Sequence, residues 1–141
     1  MVMNRPSLSS ASCLLAAFVL ALTAGCSDRP ERAHVSGKIT LAGKPVGPGF
    51  IIFMPDREQG TTGKAASAEF SSDGVYELTT YESGDGAIVG KHSVLIQPPP
   101  SETPVPGRPP TIPWCYGNPR QALLHAEIVP GSNEINFDLK P

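Results

Sequence analysis

Clusters of lysine and arginine are missing from this 141-residue chain, in which 11 basic residues stand against 13 acidic ones and the formal net charge at pH 7 is −2. A protein that holds a nucleic-acid backbone needs cations gathered on one surface, because much of its affinity comes from phosphate contacts. The composition therefore argues against a nucleic-acid partner.

Long hydrophobic runs are also missing. Residues 14–22 (LLAAFVLAL) are consecutive apolar residues, and as a helix they reach about 14 Å, against a bilayer hydrocarbon core of about 30 Å. The run is too short to span a membrane, and it follows a segment whose single charge is Arg5. A cation followed by a short apolar block is typical of a signal peptide, so we predict a signal helix within residues 1–25.

Small residues lead up to Cys26, with Ala24 and Gly25 directly before it. The stretch resembles the bacterial lipobox, although Thr23 stands where that motif usually has leucine and Leu22 lies one position earlier. We predict cleavage between Gly25 and Cys26 and lipidation of Cys26, because each buried acyl CH₂ adds about 0.8 kcal/mol of membrane binding. The alternative is an ordinary secretory signal cut after Ala24 or Gly25.

Either form of processing exports the protein. Lipidation places it on a membrane of the cell envelope: the outer membrane, the inner-membrane leaflet that faces the periplasm, or the cell surface. Residues 26–33 are then a short polar tether. The length of residues 34–141 suits one domain with a single core.

Cysteine is scarce, with Cys13, Cys26 and Cys115 alone in the sequence. Cys13 falls in the predicted signal peptide and Cys26 is the predicted lipid site, so no intramolecular disulfide is available to the mature lipoprotein. We expect the thiol of Cys115 to be buried and inert, since no base is adjacent to it in the sequence. The alternatives are a disulfide between two chains and a nucleophilic role.

Apolar and polar residues alternate along much of the remaining chain. Between residues 133 and 139, for example, Ile135, Phe137 and Leu139 alternate with polar residues. Such period-two patterns predict strands, as does the continuous apolar run at 50–54 (FIIFM). We count seven strands, at 35–41, 50–54, 64–70, 75–81, 91–97, 120–129 and 133–139. Turns and loops join them without a helix, and Asp73-Gly74 is a hairpin signal between the third and fourth. The pattern predicts an all-β, antiparallel β-sandwich.

Proline is concentrated in residues 98–113, where it occupies eight of sixteen positions. Because proline cannot donate to a sheet and favours extended polyproline geometry, we predict a long surface loop. Trp114, Cys115 and Tyr116 follow directly and form a candidate ligand loop, since Trp and Tyr give large contact area at low entropic cost. The alternative, which we favour, is that Trp114 and Tyr116 pack back onto one end of the sandwich.

Three stretches carry a family resemblance: residues 35–46 (VSGKITLAGKPV), 50–53 (FIIF) and 72–76 (SDGVY). They resemble the opening of carboxypeptidase regulatory-like domains of the transthyretin-like (prealbumin-like) fold, and the mature chain is similar to small exported lipoproteins of planctomycete-type bacteria. The resemblance implies a seven-stranded Greek-key β-sandwich over residues 34–141. It also implies an accessory module of unknown function without its enzyme, and hence no catalytic residues, cofactor or metal.

A small envelope hydrolase or metal-dependent enzyme is the competing hypothesis. Its candidate residues are His34, His92 and His125, which lie in three separate segments without metal-ligand spacing. We expect them to be structural. The favoured function is a non-enzymatic module, held at a membrane by its N-terminal lipid, that binds an envelope protein or a glycan.

The predicted anchor is tested by the mass of the intact protein extracted from membranes. We expect a chain that begins at Cys26 and carries acyl chains, because the small residues before Cys26 suit the lipoprotein peptidase. A mass without acyl chains on Cys26 would contradict the anchor.

Overall fold

The computed structural model describes residues 28–141. The predicted signal peptide, its cleavage site at Gly25 and the lipidation site Cys26 lie outside the described residues. Within the described part of the chain, no helix is long and apolar enough to cross a membrane.

The described residues are predominantly β, with three short 3-10 turns at Arg57–Gln59, Trp114–Gly117 and Pro119–Gln121. Ten strands follow one another: β1 Arg32–Leu41, β2 Lys44–Pro45, β3 Gly49–Pro55, β4 Ala66–Phe70, β5 Val75–Glu77, β6 Ala87–Ile88, β7 Gly90–Gln97, β8 Leu124–Ile128, β9 Ser132–Glu134 and β10 Phe137–Leu139.

The strands form two sheets. One is a four-stranded antiparallel sheet in the order β4-β3-β7-β8. The other is built on β1, which pairs with five shorter strands. Antiparallel β6, β5 and β2 follow one side of β1, while β9 and β10 follow the other side and run parallel to it.

A single core lies between the sheets, as expected of a sandwich-like arrangement. Val35 and Ile39 of β1 belong to the same buried cluster as Phe53 of β3. The ring of Phe53 lies 6.4 Å from that of Tyr76 and 6.2 Å from that of Phe137, measured between centroids. Burial of side chains of this size stabilises the fold by about 1.5–3 kcal/mol each.

Gly37 lies in the middle of β1, where its parallel neighbour changes from β9 to β10. A Cβ at this position would overlap the carbonyl oxygen of Ile135, so glycine permits a close approach of two backbones. Tyr76, the cross-strand partner of Gly37 in β5, donates a 2.6 Å hydrogen bond from its hydroxyl to that carbonyl oxygen. Burial raises the pKa of Tyr76 well above its usual range. One tyrosine thus joins β5, β1 and the β9–β10 connection.

The carboxylate of Asp138 secures the turn at the far end of β1. It accepts hydrogen bonds from the Gly43 amide at 2.8 Å and from the Thr40 hydroxyl at 2.7 Å. With Lys140 also close, these donors lower the pKa of Asp138 to about 2. Ala42 and Gly43 both have positive φ, as a two-residue hairpin turn requires, so β10 holds the β1–β2 turn in place.

The all-β prediction with two sheets is confirmed, whereas the strand list differs. The predicted strand at 133–139 is two strands separated by Ile135 and Asn136, the one at 75–81 ends at Glu77, and the one at 120–129 begins at Leu124. The short strands β2 and β6 fall in segments that the sequence indicates as loops. The differences at β2, β5, β6, β9 and β10 arise because each of these strands pairs with β1 over only two or three residues. β8 begins at Leu124 because residues Pro119–Gln121 before it form a 3-10 turn.

The Asp73-Gly74 turn is present, but in place of the predicted hairpin ladder the two flanking segments share an isolated antiparallel bridge between Ser67 and Thr79. Val75 N donates to Asp73 Oδ1 at 3.1 Å, and Gly74 has φ +75°. However, β4 pairs with β3 and β5 pairs with β1, so the turn carries the chain from one sheet to the other. Its anchor is the 2.9 Å hydrogen bond from the Ile39 amide to the Gly74 carbonyl.

The contact at Gly37 predicts a specific loss of stability. We expect Gly37→Ala to lower the free energy of unfolding in urea by about 1–3 kcal/mol, because the added methyl displaces Ile135. Tyr76→Phe should lower it by about 1 kcal/mol, since one buried hydrogen bond is lost. Lys38→Ala, on the solvent side of β1, is the control and should change it by less than about 0.5 kcal/mol. A Gly37→Ala protein as stable as the control contradicts the assignment.

Candidate ligand-binding groove

The proline-rich segment leaves β7 at Gln97 and returns to the same place. The side-chain amide of Gln97 donates a 3.2 Å hydrogen bond to the carbonyl oxygen of Gly117, which closes the ends of the loop. Inside it, the Glu102 carboxylate accepts a 2.8 Å hydrogen bond from the amide of Thr111. Closed ends and internal hydrogen bonds are features of a compact surface loop, and a surface loop is what the proline content of residues 98–113 predicts.

Two buried side chains hold this loop on the sandwich. Ile112 is fully buried and packs against Gly49, where a Cβ would lie 2.6 Å from its Cδ1. Tyr116 is 9% exposed, and its hydroxyl accepts a 2.8 Å hydrogen bond from the amide of Lys140. These two contacts fix the backbone on either side of Trp114.

Trp114 itself is 46% exposed, at the start of the 3-10 turn Trp114–Gly117. The favoured prediction, that both aromatic side chains pack onto the end of the sandwich, is therefore right for Tyr116 and wrong for Trp114. The expectation of a buried Cys115 is also wrong, since Cys115 is exposed. A 3-10 turn points successive side chains in different directions, and burial of Tyr116 turns its two predecessors outward.

A groove of about 670 Å³ lies beside Trp114. Five prolines, four polar or charged residues, Val105 and Trp114 line it: Pro48, Pro99, Glu102, Thr103, Pro104, Val105, Arg108, Pro109, Pro110, Thr111 and Trp114. A second hollow of about 390 Å³ shares Pro99, Glu102 and Trp114 with it. Trp114 thus borders two open hollows, with apolar surface and a few polar groups on which a ligand can be oriented.

The groove and the start of the domain lie at opposite ends of β1. Residues 32–33 pair with β6 at one end of the strand. At the other end Leu41 pairs with Leu139, the neighbour of Lys140, to which Tyr116 is bonded. Ten residues of extended strand separate the two ends by about 33 Å.

The three candidate histidines do not form one site. His34 lies on the solvent side of β1, His92 is buried on β7, and His125 is exposed on β8. His92 and His125 both border a hollow of about 420 Å³. No group of three His, Cys, Asp or Glu side chains that could hold a metal ion occurs among residues 28–141.

His34 has polar neighbours on both ring nitrogens. Its Nε2 lies 2.9 Å from Oε1 of Glu77, and its Nδ1 lies 3.4 Å from the hydroxyl of Ser132. Neither neighbour is recognisable from the sequence, because Glu77 and Ser132 are 43 and 98 positions away. Only the pairing of three strands brings these residues together.

His92 lies in the core, 1% exposed and with its ring 5.9 Å from that of Phe53. Its Nδ1 is 3.1 Å from the carbonyl oxygen of Gly90, while its Nε2 is buried without a hydrogen-bond partner. Burial lowers the pKa of His92, and neither the Gly90 carbonyl nor the Asp56 carboxylate offsets it. The imidazole is therefore neutral in the folded protein, with Nδ1 carrying the proton.

The buried imidazole predicts a loss of stability in mild acid. The unfolded chain takes up a proton at the ordinary His pKa of about 6.5, whereas the folded chain takes it up only at lower pH. The stabilisation is fully present above about pH 6.5 and is lost as pH falls from there through the lowered pKa of His92. Urea unfolding at about pH 7.5 and pH 5.5 should show this loss of stability, and the loss between the two pH values should be smaller in His92→Leu.

The exposed histidine on β8 supplies the control for that experiment. His125→Gln should lose as much stability between the two pH values as the unmodified protein. Asp85 and Asp138, whose pKa values are lowered, titrate below this range. An undiminished loss in His92→Leu would show that another group is responsible.

Comparison with known proteins gives no relative from which a role can be carried over: no family model, curated protein or solved structure matches the chain.

Proposed function

We propose that this chain is an exported lipoprotein, anchored through Cys26, whose β-sandwich carries a non-enzymatic binding site for an envelope protein or glycan. We further propose that the module is a carboxypeptidase regulatory-like domain with the Greek-key, transthyretin-like fold. The single observation that carries the binding role is Trp114, half-exposed beside a groove and fixed by two buried neighbours.

Preorganisation supports binding at this groove. A ligand that meets a mobile loop must order it, at about 0.5–1.5 kcal/mol for each immobilised side chain. Here Ile112 and Tyr116 already hold the backbone next to Trp114, and the prolines of residues 98–113 have restricted φ angles. The loop therefore presents an aromatic side chain with little conformational entropy left to lose.

The position of the groove suits a tethered module. The tether would join the domain at the start of β1, and the groove lies beyond the other end of that strand, about 33 Å away. A domain attached by its first residues to a membrane can then direct Trp114 away from the lipid surface. The proposal of a lipid anchor rests on residues 22–26. The position of the groove supports that proposal and is observed independently of it.

Trp114 is the one tryptophan of the chain, so its fluorescence reports on the groove directly. We expect solubilised envelope glycan, or purified envelope protein, to shift this emission on titration. Because buried Trp side chains at interfaces contribute about 2 kcal/mol or more, Trp114→Ala should weaken binding by about 30-fold or more, as measured by calorimetry.

Val129→Ala is the matched control, since Val129 is exposed and follows β8 at the end of the sheet away from the groove. It should bind as the unmodified protein does. An affinity that is unchanged in Trp114→Ala would show that the binding site lies elsewhere on the protein. The absence of any shift with both ligand classes would contradict the binding role.

A further inference from the structure

Ser132, His34 and Glu77 meet on the solvent-facing side of the sheet built on β1. They come from three neighbouring strands: Ser132 begins β9, His34 lies on β1 and Glu77 ends β5. Ser132 stands directly opposite His34 in the parallel pairing. Glu77 stands opposite Ser36, and its side chain extends along the sheet to His34, two residues earlier in β1. Regular sheet register places all three on one face.

The hydrogen bonds of His34 determine which of its two ring nitrogens carries the proton. Glu77 has no proton to donate when ionised, so the contact of 2.9 Å to its Oε1 places a proton on Nε2. Nδ1 then carries a lone pair, 3.4 Å from the Ser132 hydroxyl. A base oriented by a carboxylate and aimed at a hydroxyl is the arrangement that activates serine nucleophiles.

We propose that Ser132 is a nucleophile that accepts acyl groups, with His34 as its general base and Glu77 as the positioning residue that sets the tautomer of His34. This activity is separate from ligand binding at Trp114 and goes beyond the proposed function. Ser132 and His34 are the catalytic residues, because they contact the reacting atoms.

The proposed reaction is the hydrolysis of an ester. Ser132 Oγ attacks the ester carbonyl carbon while His34 Nδ1 takes the hydroxyl proton. The tetrahedral adduct then breaks its bond to the alcohol, which leaves with that proton, and Ser132 remains acylated. A water molecule gives a proton to Nδ1 and attacks the acyl carbon. Departure of Ser132 Oγ, which recovers the proton, releases a carboxylic acid.

The open edge of the sheet offers a donor for the developing oxyanion. β9 pairs with β1 and with no other strand of the described chain. The Ile135 amide donates to the Ser36 carbonyl on the β1 side. Since amides alternate in direction along a strand, the amide of Ser132 faces the open edge. A nucleophilic serine whose own N–H helps bind the oxyanion is a recurring arrangement.

The shape of this face indicates the substrate class. His34 is 42% and Glu77 59% exposed, and none of the hollows described above is lined by the three residues. A long acyl chain would remain in water here, whereas an acetyl group needs no pocket. The expected substrate is therefore a short-chain ester. With an activated ester, whose good leaving group makes acylation faster than deacylation, the acyl-enzyme should accumulate in a burst.

The test is covalent labelling of the full-length protein with a fluorophosphonate probe, located by peptide mass mapping, together with hydrolysis of p-nitrophenyl acetate. We expect the label on Ser132, no label in Ser132→Ala, and acylation about a hundredfold slower in His34→Gln. Glu77→Gln should lower kcat with little change in KM. All three side chains are on the surface, so the variants should keep their unfolding midpoints.

Two controls separate this activity from surface chemistry. Ser36→Ala changes a serine on the same face, and His125→Gln removes an exposed imidazole, so both should be labelled as the unmodified protein is. Trp114→Ala should also be labelled, which distinguishes this result from failure of the binding proposal. A folded protein that takes no label, or labelling that persists in His34→Gln, overturns the proposal.

Discussion

The close approach of two backbones at Gly37 is the constraint on which the rest of the structure depends. Because this position has no side chain, the carbonyl of Ile135 can contact β1, and the hydroxyl of Tyr76 donates a hydrogen bond to that carbonyl oxygen. That contact lets the C-terminal strands β9 and β10 follow one strand on its open side, parallel to it. The first and last segments of the domain are thereby joined.

Both proposed activities follow from this placement. β10 ends at Leu139, and the next residue, Lys140, donates its amide to Tyr116, so the proline-rich loop is held by the end of the chain. β9 begins at Ser132, and its pairing with β1 brings that hydroxyl to His34. One strand therefore positions an aromatic groove beyond its end and a polar group on its outer face, without either depending on the other.

The fold was predictable where local patterns carry the signal. A continuous apolar run identified β3 and alternation identified β7 closely, and the prolines of residues 98–113 identified the surface loop. The failures occur where pairing is non-local. Asp73-Gly74 has the composition of a hairpin turn, yet hydrogen bonding to Ile39 sends the chain to the other sheet. In the same way, alternation continues through Ile135, so the pattern shows no break between β9 and β10.

The sequence by itself determined the all-β class, the position of the proline-rich loop and the residues on which the proposed export and lipid anchor rest, because each depends on neighbours along the chain. Tertiary structure alone decided that Trp114 is exposed while Tyr116 is buried, that His92 is a neutral core residue, and that His34 lies between Glu77 and Ser132. The reason is physical: periodicity and turn chemistry act over a few residues, whereas burial and hydrogen-bond partners here come from segments up to 99 positions apart.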